Sequence, residues 1–234
     1  MSLIAHYKLN DNAANTTMVD STGSYDGTAT ANTSTLSAAG KINNAFNFAG
    51  SSSAKTPTGI IAVNSPWSVA LWFNLASKTA GDSIISWGHG NDPPYGAWNM
   101  NWVSTMKLTW FDSGLTFRTI DSGVNPSIGQ WVHAAITYDG TTLLFYLDGN
   151  QVGSYVNPDF RDRADTYNRI YVSGARGGTV NLLDGLTDDV RIATEVFTHQ
   201  EILDTVRDGA GTESNPPNEA LLGGPIIRQL LRSA

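Results

Sequence analysis

The chain contains no cysteine in 234 residues. That excludes a disulfide framework, a thiolate zinc site and a cysteine nucleophile, so stability has to come from packing. Charge is scarce as well: Asp, Glu, Lys and Arg together make up 15% of the residues, and Gly, Ser, Thr and Asn fill the space. A coiled coil or a charged disordered tail needs far more charge than that. Basic residues are outnumbered, 14 against 21 acidic ones, which leaves a net charge of −7. Nucleic-acid binding rests on clustered Lys and Arg, so a phosphate-backbone partner is not expected. No apolar run approaches the ~18 residues of a membrane span. The opening Met1 to Leu9 alternates like a strand and has no signal-peptide core of about 7–15 apolar residues, so no leader is expected.

What is present is period-2 alternation. Trp67, Val69, Leu71, Phe73 and Leu75 share one face of a strand, and Ser68, Ala70, Trp72 and Asn74 share the other. Val132, Ala134, Ile136 and Tyr138 alternate with Trp131, His133, Ala135 and Thr137 in the same way. Several strands are apolar on both faces, as expected where two sheets pack and an outer face is also covered. Asp139-Gly140 and Asp148-Gly149-Asn150 are hairpin signals, so residues 131–156 read as a three-stranded meander.

One helix stands out. Thr198-His199-Gln200-Glu201 is a capping box, Ile202, Leu203 and Val206 form an apolar stripe, and Gly209 ends it. About ten residues make a helix that is marginal alone, so it should lie against the sandwich. Residues 211–218 are a Pro- and Gly-containing linker, and an apolar tail follows. The chain therefore divides into a domain at 1–209 and a linker with tail at 210–234. The fold class expected is all-β: a two-sheet antiparallel sandwich with one short C-terminal helix.

Four segments, taken in order, resemble the laminin-G-like, concanavalin A-like lectin/glucanase jelly-roll domains of bacterial and phage proteins. They are His6-Tyr7-Lys8-Leu9-Asn10-Asp11 with Val19-Asp20-Ser21-Thr22-Gly23 and Tyr25-Asp26-Gly27-Thr28; then Lys41 to Phe48; then Gly129 to Gly140 running into Leu147-Asp148-Gly149; and Asp184 to Ile192 followed by Phe197 to Ile202. The resemblance spans roughly residues 3–208 and implies a jelly roll. It leaves function open, because binders, adhesins, structural modules and some enzymes share the fold.

The resemblance also implies a structural Ca²⁺ where the N-terminal Asp loop meets the last strand. The matching positions are Asp20 and Asp188, with Asp26 and Asn44 as weaker candidates. Asp188 shares strand parity with Val190 and Ile192, which points it toward the core. A carboxylate there requires a cation or several donors. The alternative is that Asp188 caps a turn or accepts backbone N–H groups.

A second candidate is the Gly- and Pro-rich stretch 87–98. Trp87, His89, Asn91, Asp92, Tyr95 and Trp98 offer rings for stacking on sugar C–H faces and polar groups for reading hydroxyls. The alternative is that these rings close one end of the sandwich or face a partner protein. Catalysis is not expected. The laminarinase-like relatives carry Glu-x-Asp-x-x-Glu on one strand, whereas this chain has only Glu195, Glu201, Glu213 and Glu219. Asp188 and Asp189 are adjacent and on a regular strand would face opposite ways.

The expected function is thus a non-enzymatic structural or binding module on a virion surface, as a decoration or fibre-associated protein, with host-surface glycans as possible ligands. A lectin or adhesin module of a secreted bacterial protein is the alternative. In the tail, Leu221, Leu222, Ile226, Ile227, Leu230 and Leu231 are expected to dock on other virion or assembly proteins, which makes an oligomer the expected state and the virion or extracellular space the expected location.

Overall fold

The computed structural model describes residues 2–88, 98–160, 168–175 and 177–208. In chain order its strands are β1 (Ala5–Tyr7), β2 (Thr17–Met18), β3 (Gly27–Ala29), β4 (Ser37–Ala39), β5 (Asn44–Asn47), β6 (Ala54–Lys55), β7 (Trp67–Leu75), β8 (Ser83–Trp87), β9 (Trp98–Trp102), β10 (Met106–Phe111), β11 (Phe117–Asp121), β12 (Trp131–Tyr138), β13 (Thr142–Leu147), β14 (Asn150–Val156), β15 (Ile170–Val172) and β16 (Gly185–Ala193). A single turn of helix, α1 (Thr33–Leu36), precedes β4, and α2 (His199–Asp208) follows β16.

Two antiparallel sheets form the expected sandwich. The first runs β14-β13-β12-β7-β16-β5-β4, with β1 added on β16; the second runs β11-β10-β9-β8-β15-β6-β3-β2. One flank of β16 is shared, β5 pairing at Leu186 and Thr187 and β1 pairing at Val190 to Ile192. The meander over 131–156 is present as β12, β13 and β14. Its second turn places Asp148 and Gly149 both at positive φ, 48° and 79°, which a tight hairpin requires.

The inward faces follow the alternation. Trp67, Val69, Leu71 and Phe73 of β7 meet Trp87 of β8, Trp98 and Met100 of β9, and Leu108 and Trp110 of β10 in one core. All nine residues of β7 are buried, because the outer face of its sheet is covered too. There Ala70, Ala135 and Ala193 make a small-residue floor for Phe197 and for Ile202 of α2. The helix begins as expected: Glu201 accepts from the Thr198 N–H at 2.9 Å, and the Glu201 N–H donates to the Thr198 hydroxyl at 3.2 Å.

One strand departs from the expected parity. Asp188 pairs with Trp72 and Arg191 with Ala70, so Asp189 and Val190 together oppose the single residue Leu71. This is a β-bulge, with Asp189 at φ 53°. Val190 and Ile192 stay in the core, but Asp188 is carried to the outer face beside Trp72. Asp189 reaches the same side, where it meets His6 and Arg191. The expectations that Asp188 points inward and that Asp188 and Asp189 face opposite ways are both corrected by that extra residue. The tail residues Leu221, Leu222, Ile226, Ile227, Leu230 and Leu231 lie outside the described residues, as does the rest of 209–234.

Candidate functional site

The aromatic candidates at the ends of the 87–98 stretch are core residues. Trp87 and Trp98 are a cross-strand pair on β8 and β9, 2% and 1% exposed. Both share parity with neighbours that turn inward, Ile85 and Met100, and Trp98 stacks on Trp67 with ring centroids 5.4 Å apart. Neither ring has a face free for a sugar. His89, Asn91, Asp92 and Tyr95 lie outside the described residues.

The residues that alternate with this core build a different surface. On β9, Asn99 and Asn101 turn outward between Trp98, Met100 and Trp102. On β10, Lys107, Thr109 and Phe111 turn outward between Met106, Leu108 and Trp110. On the edge strand β11, Phe117, Thr119 and Asp121 do the same. The register aligns them in rows. Asn101, Lys107 and Asp121 form one, Asn99, Thr109 and Thr119 the next, and Phe111 with Phe117 the last. Lys107 and Phe111 are four positions apart, so the face is about 14 Å long at ~3.4 Å per residue.

The chemistry of these rows is mixed in a defined order. The Phe111 and Phe117 rings meet edge to face with centroids 5.3 Å apart, and Phe117 is 56% exposed. In the middle row the Asn99 side-chain oxygen accepts from the buried Ser83 hydroxyl at 2.6 Å, which fixes the amide. The Thr109 hydroxyl donates to the Asn99 carbonyl at 3.2 Å. The Asn101 side-chain oxygen is buried and has no protein donor. At the far end the Lys107 ammonium lies 3.0 Å from the Asp121 carboxylate. Sequence reasoning missed Asn99, Asn101, Lys107, Thr109, Phe117 and Asp121. Their signal was the polar half of the same alternation that identifies the core.

Of the four residues considered for Ca²⁺, Asp20 is already satisfied by protein donors, while one Asp188 oxygen is buried without a partner. The Asp20 carboxylate accepts N–H bonds from His6, Thr22, Ser24 and Tyr25 at 2.8–3.2 Å and a hydroxyl bond from Thr22 at 2.6 Å. Burial works to raise its pKa, but these donors override it and hold the group low. A carboxylate ringed by donors is an anion already satisfied. Asp26 accepts from the Asp20 N–H at 2.8 Å. Asp188 accepts from the Ile42 N–H at 2.8 Å, which ties down the β4–β5 connection, and the Asn44 N–H donates to the Asn10 side chain. Among the described residues no three His, Asp or Glu side chains come together as metal ligands.

The outer side of the bulge holds a buried charge network. Asp189 accepts from the His6 ring at 2.6 Å and from the Arg191 guanidinium at 2.9 Å; Asp208, the last residue of α2, is 3.8 Å from Arg191. Burial works to raise the Asp189 pKa, and His6 and Arg191 together hold it below the ordinary range. Burial raises Asp188 to about 7, with the Asp189 charge adding to it. His133, which packs against Trp72, is driven down to about 3 by burial and stays neutral. Two adjacent carboxyls pushed apart in pKa are the mark of an acid and base pair. These side chains, however, are buried, so no substrate can reach them and the network is structural.

A sequence model of the family described as the concanavalin A-like lectin/glucanases superfamily matches residues 48–203. No curated protein sequence matches the chain. Among solved structures, domain 4 of AbnA, an extracellular GH43 arabinanase from Geobacillus stearothermophilus solved with arabinotriose, is similar at 24% identity and a TM-score of 0.69, over 88% of this chain and 98% of that one. The botulinum neurotoxin serotype G binding domain is similar at 18% identity and a TM-score of 0.62, over 88% of this chain and 51% of that one. Trypanosoma rangeli sialidase in complex with 2,3-difluorosialic acid is similar at 12% and 0.66, over 90% of this chain and 34% of that one. At these identities the likeness is one of fold.

Proposed function

Because the chain belongs to the concanavalin A-like lectin/glucanases superfamily, we propose that it is a non-catalytic glycan-binding module whose ligand face is the outer surface of β9, β10 and β11. The observation that carries this reading is the exposed Phe117 ring beside a row of fixed amide and hydroxyl groups. A sugar presents apolar C–H patches and a rim of hydroxyls. It needs an exposed ring edge or face for the first and oriented neutral donors and acceptors for the second. Asn99 and the exposed Thr119 supply those groups, and an Asn amide both donates and accepts. The arabinotriose found with the arabinanase domain agrees with a face able to take a short oligosaccharide. Burial of Asp188 and Asp189 supports binding without hydrolysis, since a glycosidase needs two reachable carboxyls.

The test is retention on immobilised polysaccharides. Phe117→Ala and Thr119→Ala, both at exposed positions, should each weaken or abolish retention seen with the unaltered chain while leaving its melting temperature in place. Retention that survives both substitutions moves the ligand site elsewhere.

A further inference from the structure

Resting on the glycan reading above, we infer that the Lys107–Asp121 pair makes this face selective for uncharged sugars, with Asp121 as the specificity-determining residue. Lys107 is the one cation that turns outward from β9, β10 and β11 among the described residues. Arg118, on β11, opposes the core residue Trp110 and gives its guanidinium to Asp112 at 2.8–2.9 Å. Lys55 belongs to β6, three strands from β9. Among the described residues, the outward cation these strands offer an acidic sugar is Lys107, and Lys107 is already neutralised by Asp121.

Asp121 is built to stay where it is. One oxygen accepts from the Thr105 hydroxyl at 2.6 Å and from the Gly123 N–H at 3.0 Å, and the other faces Lys107 at 3.0 Å. The Thr105 hydroxyl first, then the Gly123 N–H and Lys107, pull its pKa to about 2, so the carboxylate persists through any ordinary pH. Lys107 and Asp121 still reach solvent, with side chains 24% and 45% exposed. A uronate, sialate or sulfate meets a fixed carboxylate beside Lys107, on a chain of net charge −7. A neutral vicinal diol meets the opposite situation. One hydroxyl accepts from the ammonium and its neighbour donates to the carboxylate.

The experiment compares arabinotriose and cellotriose with trigalacturonate, together with an array of neutral and acidic polysaccharides. The unaltered chain is expected to hold neutral glycans and to reject acidic ones. Asp121→Asn keeps the shape and releases Lys107; it should gain affinity for acidic glycans on the order of tenfold, and the gain should vanish in high salt. Lys107→Ala should show no such gain. The inference is overturned if the unaltered chain holds acidic glycans as well as neutral ones, or if a folded Asp121→Asn gains nothing. If no glycan of either kind is retained by the unaltered chain, the glycan reading falls and takes this inference with it.

Discussion

The Arg191 guanidinium and the Asp189 carboxylate meet at 2.9 Å beneath α2, both side chains 2% exposed. Asp189 is brought there by the bulge in β16, and Arg191 also faces Asp208 at the end of α2. A buried ion pair adds little net stability over an apolar substitute, but removing one partner strands the other. Asp189→Asn should therefore cost about 3–5 kcal/mol, and replacing Arg191 and Asp189 together by apolar residues should cost less than either single change. Denaturant melts of the three variants measure this. Equal, additive losses would show that the pair does not act as a unit.

The pH dependence of stability has opposite signs at two neighbouring residues. Asp188 is raised to about 7 by burial. A raised folded-state pKa favours the protonated form, so its contribution is full below the unfolded value near 4 and is lost as pH rises toward 7. Asp189 and Asp20 are held low, so their contribution is present at neutral pH and is lost in acid. Asp188→Asn should remove the loss that sets in between about pH 4 and 7, raising stability at pH 8 by up to about 4 kcal/mol at 1.36 kcal/mol per unit. The acid loss should remain. A pH–stability profile unchanged by Asp188→Asn would assign any fall in stability between about pH 4 and 7 to another group.

How far the sequence could be read depended on how local each signal was. The β12–β14 meander was legible because alternation and two Asp-Gly turns lie within the same 26 residues, 131–156. The α2 start was legible because Thr198 and Glu201 satisfy one another across a single turn. Asp188 was misplaced because the bulge depends on pairing with β7, and nothing local announces that Asp189 will adopt φ 53°. Trp98 was assigned to a binding loop because Gly and Pro precede it. Its inward alternation with Met100 was the stronger cue. The face of β9–β11 escaped notice because its residues come from three strands and become neighbours only through register.

Trp98 and Phe117 should respond in opposite ways to truncation. Trp98 is stacked on Trp67 inside the core, so Trp98→Ala should cost about 3–5 kcal/mol. Phe117 is mostly exposed on an edge strand, so Phe117→Ala should stay within about 0.5 kcal/mol while glycan retention disappears. Thermal melts and retention, measured on both variants, separate a folding residue from a binding one. A large loss of stability in Phe117→Ala would make its effect on retention uninformative and would count against the face as a preformed site.

Chelation tests the donor-ringed reading of Asp20. An ion held at 100 times its dissociation constant would stabilise the fold by about 2.7 kcal/mol. For a domain of this size that is roughly 5–11 °C in melting temperature, at ~2–4 °C per kcal/mol. The Asp20 oxygens already accept four backbone N–H bonds and a hydroxyl, and a cation in their place would have to break them. The expected result is a melt unchanged by EDTA and unchanged by added Ca²⁺. Asp20→Ala should nevertheless destabilise, because it strands N–H donors from His6, Thr22 and Tyr25 at about 1–3 kcal/mol for each that stays buried. A drop of several degrees in EDTA, absent in Asp20→Ala, would show that the carboxylate exchanges its backbone donors for a metal.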